Sequence, residues 1–165
     1  MSRTSSRTSA AYDEDFYAWT QAQAAEIRRA GAERNNAPID WQNVAEEIES
    51  MGRSQRSEIW SRLIVLQNHL LKWLYCPELR DRCERGWRLT VMEQRDELRK
   101  ELDDSPSLRS YAEQCLEETY QKARRRAVVE ADVEMARFPA SPPFTLDEAL
   151  DPAYPADLFP PEWRA

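Results

Sequence analysis

The chain holds a single histidine, His69, and histidine titrates near neutral pH, so acid–base or ligand chemistry would centre there. On a helical wheel it lies just off an apolar stripe, next to Trp73 and one or two turns from Arg62 and Val65. Glu47 falls on the same flank several turns earlier, Lys72 lies close by, and Gln94 and Arg95 come from a later segment. Gathered in an interhelical pocket, Glu47, His69, Lys72, Trp73, Gln94 and Arg95 could bind a ligand or move a proton. The competing reading is packing: a half-buried histidine bonded between helices near one carboxylate, with Glu47 the favoured partner. Such a carboxylate would raise the histidine pKa while burial would lower it, and sequence does not rank the two effects. The packing reading is preferred.

Other chemistries find less to work with. One histidine cannot build a multi-histidine metal site, and no Cys-x-x-Cys or His-x-x-x-His spacing occurs, so neither metal nor cofactor is expected. Glu46 and Glu47 are adjacent acids, but neighbours on a helix point about 100° apart, which puts Glu46 opposite the stripe. No cysteine stands in a recognisable nucleophile arrangement, and with 3 glycines no phosphate loop is built. Arg80, Arg82, Arg85 and Arg88 flank Trp87, and Arg124 to Arg126 form a triplet; such mixtures can hold phosphates and bases. Glu78, Asp81 and Glu84 interleave with the first cluster, so a salt-bridged connector is the stronger reading.

These residues must be carried by helices. From Asp40 to Pro77 apolar residues recur three or four apart: Trp41, Val44, Ala45, Ile48, Met51, Ile59, Leu63, Leu66, Leu70 and Trp73. The phase carries through Gly52, which predicts one helix from Trp41 to about Tyr75, or two nearly collinear ones, with Ile48, Leu63, Leu66 and Leu70 buried. A first helix is predicted from near Asp13 to Arg29 or Ala30, with Gly31 as a left-handed cap. Pro77 to Gly86 reads as a charged connector, and a third helix runs from about Arg85 to Asp103. Ser105-Pro106 opens a fourth, continuing toward Ala136. Beyond Phe138 prolines predominate, and Thr145-Leu146-Asp147-Glu148 has capping-box spacing for one short helix.

The fold class is therefore all-α: one helical domain of four principal helices over residues 12–138, a tail at 1–11, and a proline-rich strap at 139–165 packed on the bundle. A chain of 165 residues can close such a core without disulfides. No apolar run reaches the roughly 18 residues of a membrane span, and no secretory h-region opens the chain, so a cytoplasmic protein with reduced Cys76, Cys83 and Cys115 is expected. Net charge is −7, from 30 acids and 23 bases. Eight of those acids and two of the bases lie from Glu130 on, which leaves 22 acids and 21 bases, a near-neutral body.

Several blocks resemble the bacterial and cyanobacterial family of uncharacterised helical proteins known as domain of unknown function 29. They are Tyr12, Phe16, Trp19 and Gln23; Asp40-Trp41; Ala45-Glu46-Glu47-Ile48-Glu49-Ser50-Met51-Gly52; His69-Leu70-Leu71-Lys72-Trp73; Gln94-Arg95; Ser105-Pro106-Ser107-Leu108; and Thr145-Leu146 before Asp151. The resemblance runs from about Tyr12 to Phe159 and implies a single helical domain with no established activity and no catalytic residues to carry over. The leading functional reading is an interaction or adaptor module for an unidentified protein or a second copy of the chain, and not an enzyme. The second is a ligand-binding or enzymatic domain around Glu47 and His69. Association with nucleic acid through the arginine-rich segments comes third.

Overall fold

The computed structural model describes residues 11–33 and 37–163, so the tail expected at 1–11 lies, except for Ala11, outside the described residues. The described chain is all-α, with no strand among the described residues. A helical turn at 11–14 precedes α1 (Phe16–Ala32); then come α2 (Trp41–Tyr75), α3 (Arg80–Asp104), α4 (Leu108–Ala131) and the short α5 (Leu146–Leu150). Single 3-10 turns stand at Pro77–Leu79, Met135–Arg137 and Pro161–Trp163. The fold divides into two compact units: residues 1–58 with 101–110, and residues 59–100 with 111–165. Helices α2, α3 and α4 each supply residues to both.

In the first unit, Asp15 ties two helix starts together. Its Oδ1 accepts from Ala18 N at 2.7 Å, capping α1, while Oδ2 accepts from Ser107 N at 2.7 Å just before α4. Ser105 reciprocates: its Oγ accepts from Tyr17 N at 3.1 Å and donates to Gln55 Oε1 at 3.2 Å. The expected start at Asp13 thus moves to Phe16, directly after the capping carboxylate of Asp15.

Both glycines of this unit mark close approaches. Gly31 is not the expected left-handed cap: it lies inside α1, and a Cβ there would stand 2.6 Å from Trp41 Cβ. Gly52 does not break α2; a Cβ there would meet Thr20 Oγ1 at 2.6 Å and Tyr17 Cδ2 at 3.1 Å. Thr20 is fully buried, and its hydroxyl is fixed by a 2.7 Å bond to Tyr17 O. Alanine at position 52 would gain about 1 kcal/mol in helix propensity but meets this stiff contact, where overpacking costs roughly 1–3 kcal/mol. Gly52→Ala is therefore expected to lower the urea midpoint, and a raised midpoint would contradict the contact.

Stripe coverage differs along α2. Ile59, Leu63, Leu66 and Leu70 are fully buried, whereas Ile48 is half-buried and Val44 and Met51 are 41% and 47% exposed. The expected burial of Ile48 is thus only partly met. The charged connector expected at Pro77 to Gly86 is instead a 3-10 turn running straight into α3 at Arg80, about five residues before the expected start. Pro77 sits at the first position of that turn, where its missing N–H costs nothing. Helix α4 stops at Ala131 because Asp132 takes a left-handed φ of 53°, short of the expected Ala136.

Residues 138–163 belong to the second unit, and most of their large apolar groups are covered: Phe138, Phe144, Leu146, Leu150, Leu158 and Phe159 are all buried, while Trp163 is exposed. Thr145 and Glu148 form the expected capping box on α5. A series of arginines fastens this segment by its carbonyls. Arg95 donates to Ala149 O at 2.8 Å and Tyr154 O at 2.5 Å, Arg88 to Leu158 O at 2.5 Å, and Arg99 to Leu150 O. Arg124 donates to Met135 O and Phe138 O, both at 3.0 Å. A carbonyl bound to a guanidinium is a charge-assisted acceptor, which suits irregular chain that has no ladder to satisfy it.

Candidate functional site

Five of the six residues named from sequence lie in the second unit, each with its own partners. His69 is half-buried, with Nδ1 2.9 Å from Val65 O; a carbonyl can only accept, so Nδ1 carries the proton. Burial pushes the His69 pKa below the usual histidine value; the Val65 bond and Glu130 oppose this, and Lys72 adds to it. The carboxylate whose charge acts on this histidine is Glu130 of α4, and the favoured Glu47 is not among the groups that shift it. Glu47 is exposed and belongs to the first unit.

Lys72 is buried and ion-paired to Glu130, whose Oε2 also accepts from Asn68 Nδ2 at 2.9 Å. Burial alone would raise the Glu130 carboxyl, but the bonds from Lys72 and Asn68 outweigh it and hold the group below its usual range. The Lys72 ammonium also stands 5.4 Å from the centre of the Trp87 ring. Trp73 donates Nε1 to Asp157 Oδ1 at 3.0 Å, and its ring lies 4.5 Å from the Arg80 guanidinium and 5.2 Å from that of Arg88. Gln94 accepts from Arg62 Nη1 at 3.3 Å. Arg95 bonds the C-terminal segment as described, and it alone of the six also lines a described cavity.

That cavity opens a different candidate, on the outer face of α3. Arg82, Arg85, Leu89 and Met92 project from successive turns and are exposed, with Leu89 at 51% and Met92 at 47%. They are turned by more than a right angle from the inward row of Trp87, Val91, Leu98 and Leu102. With Asp81, Glu84, Arg88, Phe159 and Trp163 they line a groove of about 470 Å³. Trp163 is 62% exposed, while Phe159 is buried. A smaller cavity of about 190 Å³ shares Met92, Phe159 and Trp163 with the groove and adds Arg95, Asp96, Arg99 and Pro152. Sequence reading assigned the arginines here to a connector and left Leu89 and Met92 unexplained. Their three-residue spacing off the inward row was the available signal of a second apolar face.

Comparison with known proteins bears on what this groove belongs to. The family described as Domain of unknown function DUF29 matches residues 11–155. The chain belongs to this family. The DUF29 chain is also similar to a crystal structure of an alpha-helical protein of unknown function from Rhodospirillum rubrum, with a TM-score of 0.70 and 27% identity. The match covers 85% of this chain and 89% of that one. No curated protein matches it. The structural neighbour is alpha-helical, as this chain is, and neither family nor neighbour brings an activity to any residue.

The polar groups of this DUF29 domain are largely committed to holding it together. His69 spends its N–H on a carbonyl, and burial raises the Cys76 thiol, which disfavours the thiolate a nucleophile needs. Among the described residues, no three His, Cys, Asp or Glu side chains gather as a metal site would need, and no helix is long and apolar enough to cross a membrane. The lowered His69 pKa has a stability consequence. A base whose folded pKa lies below its unfolded value, about 6.5, binds fewer protons when folded, so stability falls as pH drops through about 6.5 toward the folded pKa. Glu130 acts in a separate window: its contribution is present above the unfolded carboxyl pKa, about 4.3, and is lost as pH falls through the lower folded value. Urea melts at pH 7.5 and 5.5 are expected to show a loss in the wild type that shrinks in His69→Gln. An equal loss in both proteins would contradict a buried neutral imidazole.

Proposed function

We propose that this chain is a cytoplasmic helical interaction module whose outer α3 groove docks an acidic amphipathic segment of a partner protein. The observation that carries this reading is the exposed apolar row Leu89, Met92 and Trp163, edged by Arg82 and Arg85. Large apolar groups gathered in one groove with a charged rim are a recognition surface, and a helix in a groove reads such a row at one-turn spacing. Charge supports an acidic occupant: the whole chain carries −7, yet the groove lining has Arg82, Arg85 and Arg88 against Asp81 and Glu84. An acidic segment therefore meets a locally basic rim on an otherwise acidic protein.

The ligand-binding reading around Glu47 and His69 draws less support, since the charges acting on His69 are those of Lys72 and Glu130, which are paired to each other. Nucleic acid draws less as well, because Arg80, Arg88 and Arg124 are engaged with the protein's own carbonyls. A cytoplasmic setting is supported by three cysteines left as thiols.

Panning a random peptide library on the purified protein tests the docking reading. Selected peptides are expected to carry net negative charge with apolar residues three or four apart, and to lose binding to Leu89→Asp/Met92→Asp. Both positions are exposed, so that variant should melt within about 0.5 kcal/mol of wild type. Peptides without acidic bias, or binding indifferent to the double variant, would refute the groove as the docking site.

A further inference from the structure

We propose that the small cavity at Arg95, opening on the α3 groove, is a carboxylate-binding subsite that receives an acidic side chain of the docked segment. Arg95 is 2% exposed, yet no carboxylate lies within ion-pairing distance of it among the described residues. Two of its nitrogens are satisfied by neutral acceptors, Ala149 O and Tyr154 O, while Nη1 is buried with no partner. A buried guanidinium with an unpartnered donor is a costly arrangement, and Arg95 lines the cavity from which an anion could complete it.

The surroundings lack that anion. Arg99 adds a second cation to the cavity wall, and Asp96, the only acid among the described residues lining it, pairs with Arg99 at 3.8 Å. Burial, followed by the like charge of Arg99, pulls the Arg95 pKa down to about 10, and Asp151 offsets this only in part. An incoming carboxylate would reverse that balance, and a planar guanidinium is well matched to it.

Size selects the class of group. Pockets that enclose a whole drug-sized ligand run about 300–1,000 Å³, so 190 Å³ holds a carboxylate with a short stem. Met92, Phe159 and Trp163, shared with the groove, supply the apolar wall past which the stem would run. The occupant rests on the docking reading above, but the subsite can be probed without any peptide.

The test is an NMR titration of the full chain with hexanoate and, separately, hexan-1-ol, following the Arg95 Nε–H and Trp163 indole signals. Hexanoate is expected to shift both signals saturably and to bind about tenfold or more tightly than the alcohol, as one charge-assisted hydrogen bond implies. Arg95→Gln, which removes the charge, should erase that preference; should this variant fail to fold, the wild-type comparison still decides. Equal binding of acid and alcohol, or no shift at Arg95, overturns the subsite. Among peptides selected on the groove, a Glu→Gln change at the anchoring position should weaken binding by the same factor, which assigns the carboxylate to a side chain. Hexanoate binding at Arg95 with no peptide binding at all supports the subsite for a free monocarboxylate and overturns the docking reading alone.

Discussion

Deleting the chain after Phe138 is expected to abolish cooperative folding of the second unit. Phe144, Leu146, Leu150, Leu158 and Phe159 are all buried there, and each such side chain contributes roughly 1.5–3 kcal/mol, as an upper bound relative to an extended chain. Their combined burial matches the roughly 5–15 kcal/mol by which a whole domain is stable. The deletion also strips the acceptors from Arg88, Arg95 and Arg99 and takes Asp157 from Trp73 and Arg80. Thermal unfolding followed by circular dichroism should lose its sharp transition or shift down by tens of degrees. A truncated protein melting near wild type would show that the segment is ornamental.

Leu66→Ala should cost about 2–5 kcal/mol, the range for a large-to-small change at a site with no solvent access. Leu89→Ala on the exposed groove face is the matched control and should stay within about 0.5 kcal/mol. Urea denaturation of both reads the difference directly. A Leu66→Ala loss under about 1 kcal/mol would place that residue at a site able to collapse around the gap.

Most of the helical architecture was legible because it depends on local periodicity. The continuity of α2 through Gly52 and the capping box at Thr145 are short-range signals, and each lies where its pattern puts it. Helix α4 opens at Leu108, two residues after the expected first position at Pro106, because Pro106 and Ser107 form a turn. The misses were non-local. Gly31 resembles a cap because glycine tolerates a left-handed φ, yet here the near side chain of Trp41 forbids a Cβ. Pro77 and the alternating charges of the following segment mimic a loop, but a helix accepts proline in its first turn and charges on its outer face.

The candidate site was harder to read. A helical wheel gives the flank on which His69 lies but not which distant carboxylate meets it, and Glu130 is 61 residues further on. The arginines were undecipherable for another reason: their partners are backbone carbonyls, which every residue carries, so no sequence pattern marks Ala149, Tyr154 or Leu158 as acceptors. Once those arginines are committed inward, Leu89, Met92 and Trp163 stand out as apolar groups left without cover.

The central claim, a docking groove on α3, is tested most directly by site-specific photo-crosslinking in the cells that make the protein. A benzophenone amino acid is placed at Met92, and in a separate protein at Val129, an apolar residue of α4 that is 79% exposed and lies outside the groove lining. One dominant adduct is expected from position 92, mapping to an acidic amphipathic segment and suppressed by Leu89→Asp, with none from position 129. Equal adducts from both positions, or an adduct from position 92 to a basic or purely apolar segment, would contradict it.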